Sequence, residues 1–192
     1  MNDPKLSPSD VLIVFADLQA GIVDLPLTID KDDLRRGVRG LAKLAKTLDI
    51  PVVVSVIPDH GGGPAQPIAE LAEVVARYKP LQRSAPDSWA NDAIRQAIEA
   101  SGRKTLLVAG VATEIAVQLL SLSAAANGYR VLVVEDACGG LSARSEDAAF
   151  RRLAAAGVGM TSVVALAGEF AGDFGQPQGG AVISVVYDMV SR

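Results

Sequence analysis

Residues 105–119 read TLLVAGVATEIAVQL. The first six, TLLVAG, form an apolar run short enough and β-branched enough for a strand buried on both faces. Gly110 interrupts it. Helical spacing takes over beyond the break, with Thr113 and Glu114 in the first turn. A strand that feeds a helix through a tight glycine turn makes a corner at the carboxyl edge of an open α/β sheet. Backbone N–H groups there point into the ligand crevice. The side chain that such a corner offers to a ligand belongs to Ala116. It is a methyl group where a nucleophile would be looked for.

On either side, the chain alternates in the same way. Strands are expected at residues 11–16 (VLIVFA), 51–57 (PVVVSVI), 130–135 (RVLVVE) and 160–166. Helices are expected at 32–48, 67–77, 92–100, 114–127 and 142–156, with Ser142 as an N-cap and Gly102 closing the third. The β-α alternation implies right-handed crossovers and a parallel sheet of about six strands, in a Rossmann-like three-layer α/β/α sandwich. No repeat or linker divides the chain, so residues 1–192 read as one domain. Residues 168–192 look like a C-terminal extension. In AVISVVYDMV (181–190), Val182, Val185, Val186, Met189 and Val190 share a helical face. That face belongs to a last core helix or to a subunit contact, which makes a homo-oligomer the expectation. A strand also fits the segment.

Composition removes several function classes. The net charge of −4 and pI near 5.0 leave no basic stripe for nucleic acid. One cysteine, Cys138, excludes an internal disulfide and points to a reducing compartment. The start, MNDPKLSPSD, lacks a leader-like apolar region, and no apolar run reaches the ~18–20 residues of a membrane span. A cytoplasmic protein without membrane partners is expected. His60 is the only histidine, so a zinc site with two or three histidines is excluded, and one cysteine excludes a thiolate site. The expected partner is a small-molecule substrate, without metal or cofactor.

Polar residues at strand ends carry the remaining signal. Asp17 ends the first strand, in Asp17-Leu18-Gln19. A carboxylate there sits at the mouth of the sheet, or caps the next segment through backbone N–H groups. The loop PDHGGGP (58–64) lacks the GK[ST] of a phosphate-binding loop and reads as a mobile rim, with His60 a solvated residue rather than a base. The segment YKPLQRSAPDSWAN (78–91) carries Lys79, Arg83, Asp87 and the only tryptophan, Trp89. It lines a site or crosses the surface with Trp89 capping the core. Cys138 reads as a buried structural thiol.

Taken together, these motifs resemble the isochorismatase-like hydrolase superfamily, and in particular its cysteine-hydrolase branch. Asp17-Leu18-Gln19 is similar to its D-x-Q. Arg83 followed by Asp87-Ser88-Trp89 is similar to its basic residue and small-small-aromatic step. Gly110-Val111-Ala112-Thr113-Glu114-Ile115-Ala116-Val117 resembles its G-V-x-T-[DE]-x-C-V corner, and Asp136-Ala137-Cys138-Gly139-Gly140 its D-A-x-G-G. Order and spacing agree from about residue 11 to about residue 166.

The resemblance implies a site in which the family's Asp, Lys and Cys fall on Asp17, Arg83 and Ala116. Gln19, Trp89, Val111, Ala112 and Thr113 would contact substrate, with a cis peptide before Ala112 and backbone N–H groups holding an oxyanion. Alanine has no lone pair, so covalent catalysis at position 116 is removed outright. Arginine keeps the charge but cannot exchange protons. Three readings follow. The chain is a family hydrolase of a small polar molecule, impaired in covalent amide chemistry. Alternatively, Asp17 alone protonates a vinyl ether that water then cleaves, as in isochorismatases. Or the scaffold binds without turnover. The metal-dependent amidase branch needs two histidine ligands, which His60 alone cannot supply.

Overall fold

Val-rich runs set the strands, and the sheet they build decides where the functional residues emerge. A computed structural model describes residues 5–59 and 62–191. His60 therefore lies outside the described residues. In chain order the sheet contains β1 (Val11–Ala16), β2 (Val52–Val56), β3 (Leu81–Gln82), β4 (Thr105–Val111), β5 (Arg130–Gly139) and β6 (Gly159–Thr161). The helices are α1 (Lys31–Thr47), α2 (Ala72–Arg77), α3 (Asp92–Ala100), α4 (Gln118–Ala126), α5 (Ala143–Ala155), α6 (Val163–Ala171) and α7 (Pro177–Val190).

The six strands are all parallel, in the order β3-β2-β1-β4-β5-β6. Strand order reverses between β1 and β4. Ala16 pairs with Gly110 at that point, and a crevice beyond it is where open α/β sheets take ligands.

Period-two alternation distributes each central strand between two cores. Val11, Ile13 and Phe15 face one side with Val52 and Val54, under α1, α6 and α7. Leu12 and Val14 face the other with Val53, Val108 and Val133, against Ile94 and Ile98 of α3, Leu120 of α4 and Leu153 of α5. Each large aliphatic side chain buried in this way contributes roughly 1.5–3 kcal/mol. Close approach is enforced at two glycines. A Cβ on Gly110 would overlap the Ala16 carbonyl of β1, and one on Gly37 of α1 would overlap the Asp136 carbonyl of β5.

Four expectations need correction. The run at 160–166 is not one strand: β6 stops at Thr161. Ser162 then caps α6, its Oγ accepting from Ala165 N, while the Asp136 carboxylate accepts from Val163 N. Those caps satisfy amides that a strand would have left to the ladder. The segment 78–91 is not all loop, because Leu81–Gln82 pairs with Ser55 and Val56 as the edge strand. The helix expected from 114 begins as a π-helical turn, Thr113–Val117. β5 runs past residue 135 to Gly139, through a register shift opposite Val108 to Gly110. The C-terminal segment is helical, α7, with Val182 and Val185 buried and Val186 and Met189 against the same core. Tyr187 and Val190 remain exposed.

Candidate active site

Asp17 leaves the end of β1 in a left-handed conformation, φ 55°, which costs a non-glycine residue and is favoured least badly by Asp and Asn. Its N–H donates to the Ser55 carbonyl of β2. The turn thus holds the carboxylate over the sheet's carboxyl edge, buried to 5% exposure. Arg83 follows β3, two strands away, and its N–H donates to Val56 O. The guanidinium reaches across the end of β2. Its Nη2 donates to Asp17 Oδ2 at 2.6 Å, its Nε to Ser55 Oγ at 3.0 Å and Ser88 Oγ at 2.7 Å, and its Nη1 to Ala85 O at 2.6 Å. Both charged side chains are nearly sealed from solvent, at 2% and 8% exposure.

Such burial is costly, and it shows in the carboxyl group. Burial pushes Asp17 from 3.8 up to about 6, while the Arg83 charge and hydrogen bond pull the other way. Desolvation wins because only one oxygen is paired. Asp17 Oδ1 is buried and has no hydrogen-bond partner. A carboxyl group poised near 6, with one free oxygen and one oxygen fixed by a cation, can hold or deliver a proton at neutral pH.

β4 ends beside it. Val111, Ala112, Thr113 and Ala116 are all buried, and the Val111–Ala112 peptide is cis. The π-helical turn begins here, and the first amides of a helix have no partner within it. π-turns within helices recur at functional sites. Thr113 Oγ1 donates to Glu146 Oε1 at 2.7 Å. Glu114 Oε1 accepts from Leu141 N at 3.0 Å and Ser145 Oγ at 2.7 Å. The corner is therefore clasped to α5, and the Ala116 methyl faces inward at 1% exposure.

The other residues singled out from sequence take different places. Gln19 spends its amide on Ile57, with Nε2 donating to Ile57 O and Oε1 accepting from Ile57 N, both at 3.0 Å. It ties the β1 turn to the end of β2. Trp89 packs in the second core, edge-on to Tyr129 with ring centroids 5.4 Å apart. Asp87 holds that segment, accepting from Trp89 N and from Ser123 Oγ of α4. Lys79 is exposed. Cys138 is buried opposite Gly110, and burial pushes its thiol far above the ordinary range, so it stays protonated. Sequence reasoning missed Ser55 and Ser88, the two hydroxyls that seat Arg83. A lone serine inside the valine run of β2 was the available signal. Among the described residues, no group of three or more His, Cys, Asp or Glu is placed to hold a metal ion. No described helix is long and apolar enough to cross a membrane.

Known proteins share this fold. The Escherichia coli protein named Probable hydrolase YcaC is 32% identical over 158 residues, 80% of this chain and 74% of its own. The crystal structure of the E. coli YcaC gene product, an octameric hydrolase of unknown specificity, superposes with a TM-score of 0.90 at 27% identity, covering 97% of this chain and 91% of that one. YcaC from Pseudomonas aeruginosa, solved with hexane-2,5-diol and covalent acrylamide, gives 0.88 at 28%, covering 96% and 93%. The Isochorismatase domain model matches residues 11–164, from the start of β1 into α6, so this chain belongs to the isochorismatase domain family of hydrolases.

Proposed function

We propose that this family hydrolase acts on a small polar molecule through Asp17 and water, without a covalent enzyme intermediate. One observation carries the reading: Asp17 is buried and charge-paired on one oxygen only, a setting whose burial pushes the carboxyl up to about 6. Asp17 Oδ1 delivers a proton to the leaving atom, or takes one from water. Arg83 keeps Oδ2 fixed and stabilises the carboxylate left behind. The amides that open the π-helical turn hold developing negative charge on the substrate. Ala116 occupies the position at which the family's cysteine branch carries its thiol, so it supplies no attacking pair. The acrylamide adduct of the P. aeruginosa protein has no counterpart expected here.

Turnover of a panel of vinyl ethers, amides and carbamates tests this. The proposal expects activity in the unaltered chain that Asp17→Asn abolishes, with no acyl adduct by intact mass. An acyl adduct on the unaltered chain would sink it.

A binding role without turnover is the second reading. It is favoured by the Arg83–Asp17 pair, which already neutralises the buried charge, and by two cavities among the described residues that are lined by neither Asp17, Arg83 nor residues 111–116. It expects ligand binding that Asp17→Asn leaves intact. In either case we expect a homo-oligomer, as in octameric E. coli YcaC, with the exposed Tyr187 and Val190 edge of α7 at a subunit contact. Sedimentation of the intact chain checks the assembly.

A further inference from the structure

The sheet's amino-terminal edge lies about 20 Å from Asp17, the length of a six- or seven-residue strand. A cavity of about 380 Å³ opens there, where the chain enters β1, β4 and β5. Lys5, Arg103 and Lys104 line it, as does Arg130, which is already engaged; among the described lining residues Asp10 is the one acid. This is a local reversal of sign in a chain whose net charge is −4. The frame beneath is rigid. Thr105 N donates to Asp10 O at 3.2 Å, and Arg130 N donates to Lys104 O at 3.0 Å, so adjoining strands fix where the cations start. Lys104 is held over the Tyr129 ring at 5.4 Å.

Arg103 supplies the second observation. Its Nε is buried and lacks a hydrogen-bond partner. A buried donor left unmade costs energy that a bound acceptor would return. Guanidinium groups suit tetrahedral oxyanions because they present paired donors in a fixed plane. We propose that this cavity binds the phosphate group of a small phosphorylated molecule, at a site separate from Asp17. Several cations around one donor-rich pocket suit a dianion better than a carboxylate. A volume of this size, at the lower end of ligand pockets, accommodates more than a bare ion.

The test is a titration of the full chain at low ionic strength, read by backbone amide NMR shifts, with inorganic phosphate, glycerol 3-phosphate and acetate as probes. Saturable shifts centred on residues 101–105 and 130 are expected. Glycerol 3-phosphate should bind more tightly than phosphate, and acetate about tenfold or more weakly than either. Arg103→Gln should weaken both phosphate probes at least about tenfold, with the spectrum around residues 17 and 83 unchanged. Should that variant fail to fold, Lys104→Gln carries the same expectation. Non-saturating shifts, equal affinity in the folded variant, or acetate binding as tightly as phosphate would overturn the proposal. Inorganic phosphate binding as tightly as the ester would overturn the assignment to a phosphorylated molecule.

Discussion

β1 and β4 leave the sheet side by side, yet their ends are finished in opposite ways. After β1 comes a buried carboxylate whose cation is held by two serine hydroxyls and a backbone carbonyl. After β4 comes a methyl group on a π-helical turn, clasped from behind by α5. The partners of Arg83 come from β1, β2 and the 85–88 segment, and none from residues 105–117. The charged half of the site is therefore braced independently of the β4 corner. Chemistry at position 116 can change without disturbing the Asp17–Arg83 pair.

The largest expected effect tests that independence. Ala116→Cys should go from no labelling to about one acrylamide per chain by intact mass, since a thiol at the corner meets helix-start amides while Cys138 stays buried and protonated. Labelling of the unaltered chain would break the comparison. Next, Asp17→Asn should lower any turnover by about 10²–10⁴-fold, the usual worth of a positioned acid or base. The same loss in an Ala116→Cys background would show both halves draw on one proton carrier.

Arg83→Gln is third. Removing one partner of a buried ion pair costs roughly 3–5 kcal/mol, readable by urea melts. Because Arg83 pulls the Asp17 titration downward, its loss should move the limb of the pH–rate profile that Asp17 sets to a pH above about 6.

A stability profile is fourth. The folded state raises Asp17 from 3.8 to about 6, so the native chain binds the extra proton between those values. That stabilisation is complete below 3.8 and lost as pH rises through 6, a swing of about 3 kcal/mol. Asp17→Asn should flatten that part of the curve. Smallest is Thr113→Val, which removes the hydrogen bond to Glu146 and should cost about 1–2 kcal/mol while leaving the Asp17 titration unmoved.

Much of this was legible because the central strands are short β-branched runs spaced between helical patterns, which a buried parallel sheet explains best. The corner at Gly110 and the carboxylate after β1 followed from where those runs stop. β3 was not legible: two residues in a polar segment become a strand only because the end of β2 offers them partners. Residues 163–166 misled for the converse reason. A short buried run looks alike in strand and helix, and the Ser162 and Asp136 caps that decide it lie outside the run. Of the site, Asp17 and Arg83 could be named from sequence, but their contact could not. It spans 66 residues and depends on Arg83 crossing the end of β2. Trp89 and Gln19 show the reverse, since both have their main partners within the fold.

Helix α1 carries two internal glycines, and propensity alone would exchange either for alanine at a gain of about 1 kcal/mol. At Gly37 the new methyl meets the Asp136 carbonyl, which belongs to the same β5 residue whose carboxylate caps α6. Backbone against backbone cannot yield locally, so either the helix lifts off β5 or Asp136 shifts and takes the α6 anchor with it. At Gly40 the neighbour is the tip of the Met189 side chain, which can swing aside. One position invites thermostabilisation and the other forbids it, though they lie less than one helical turn apart.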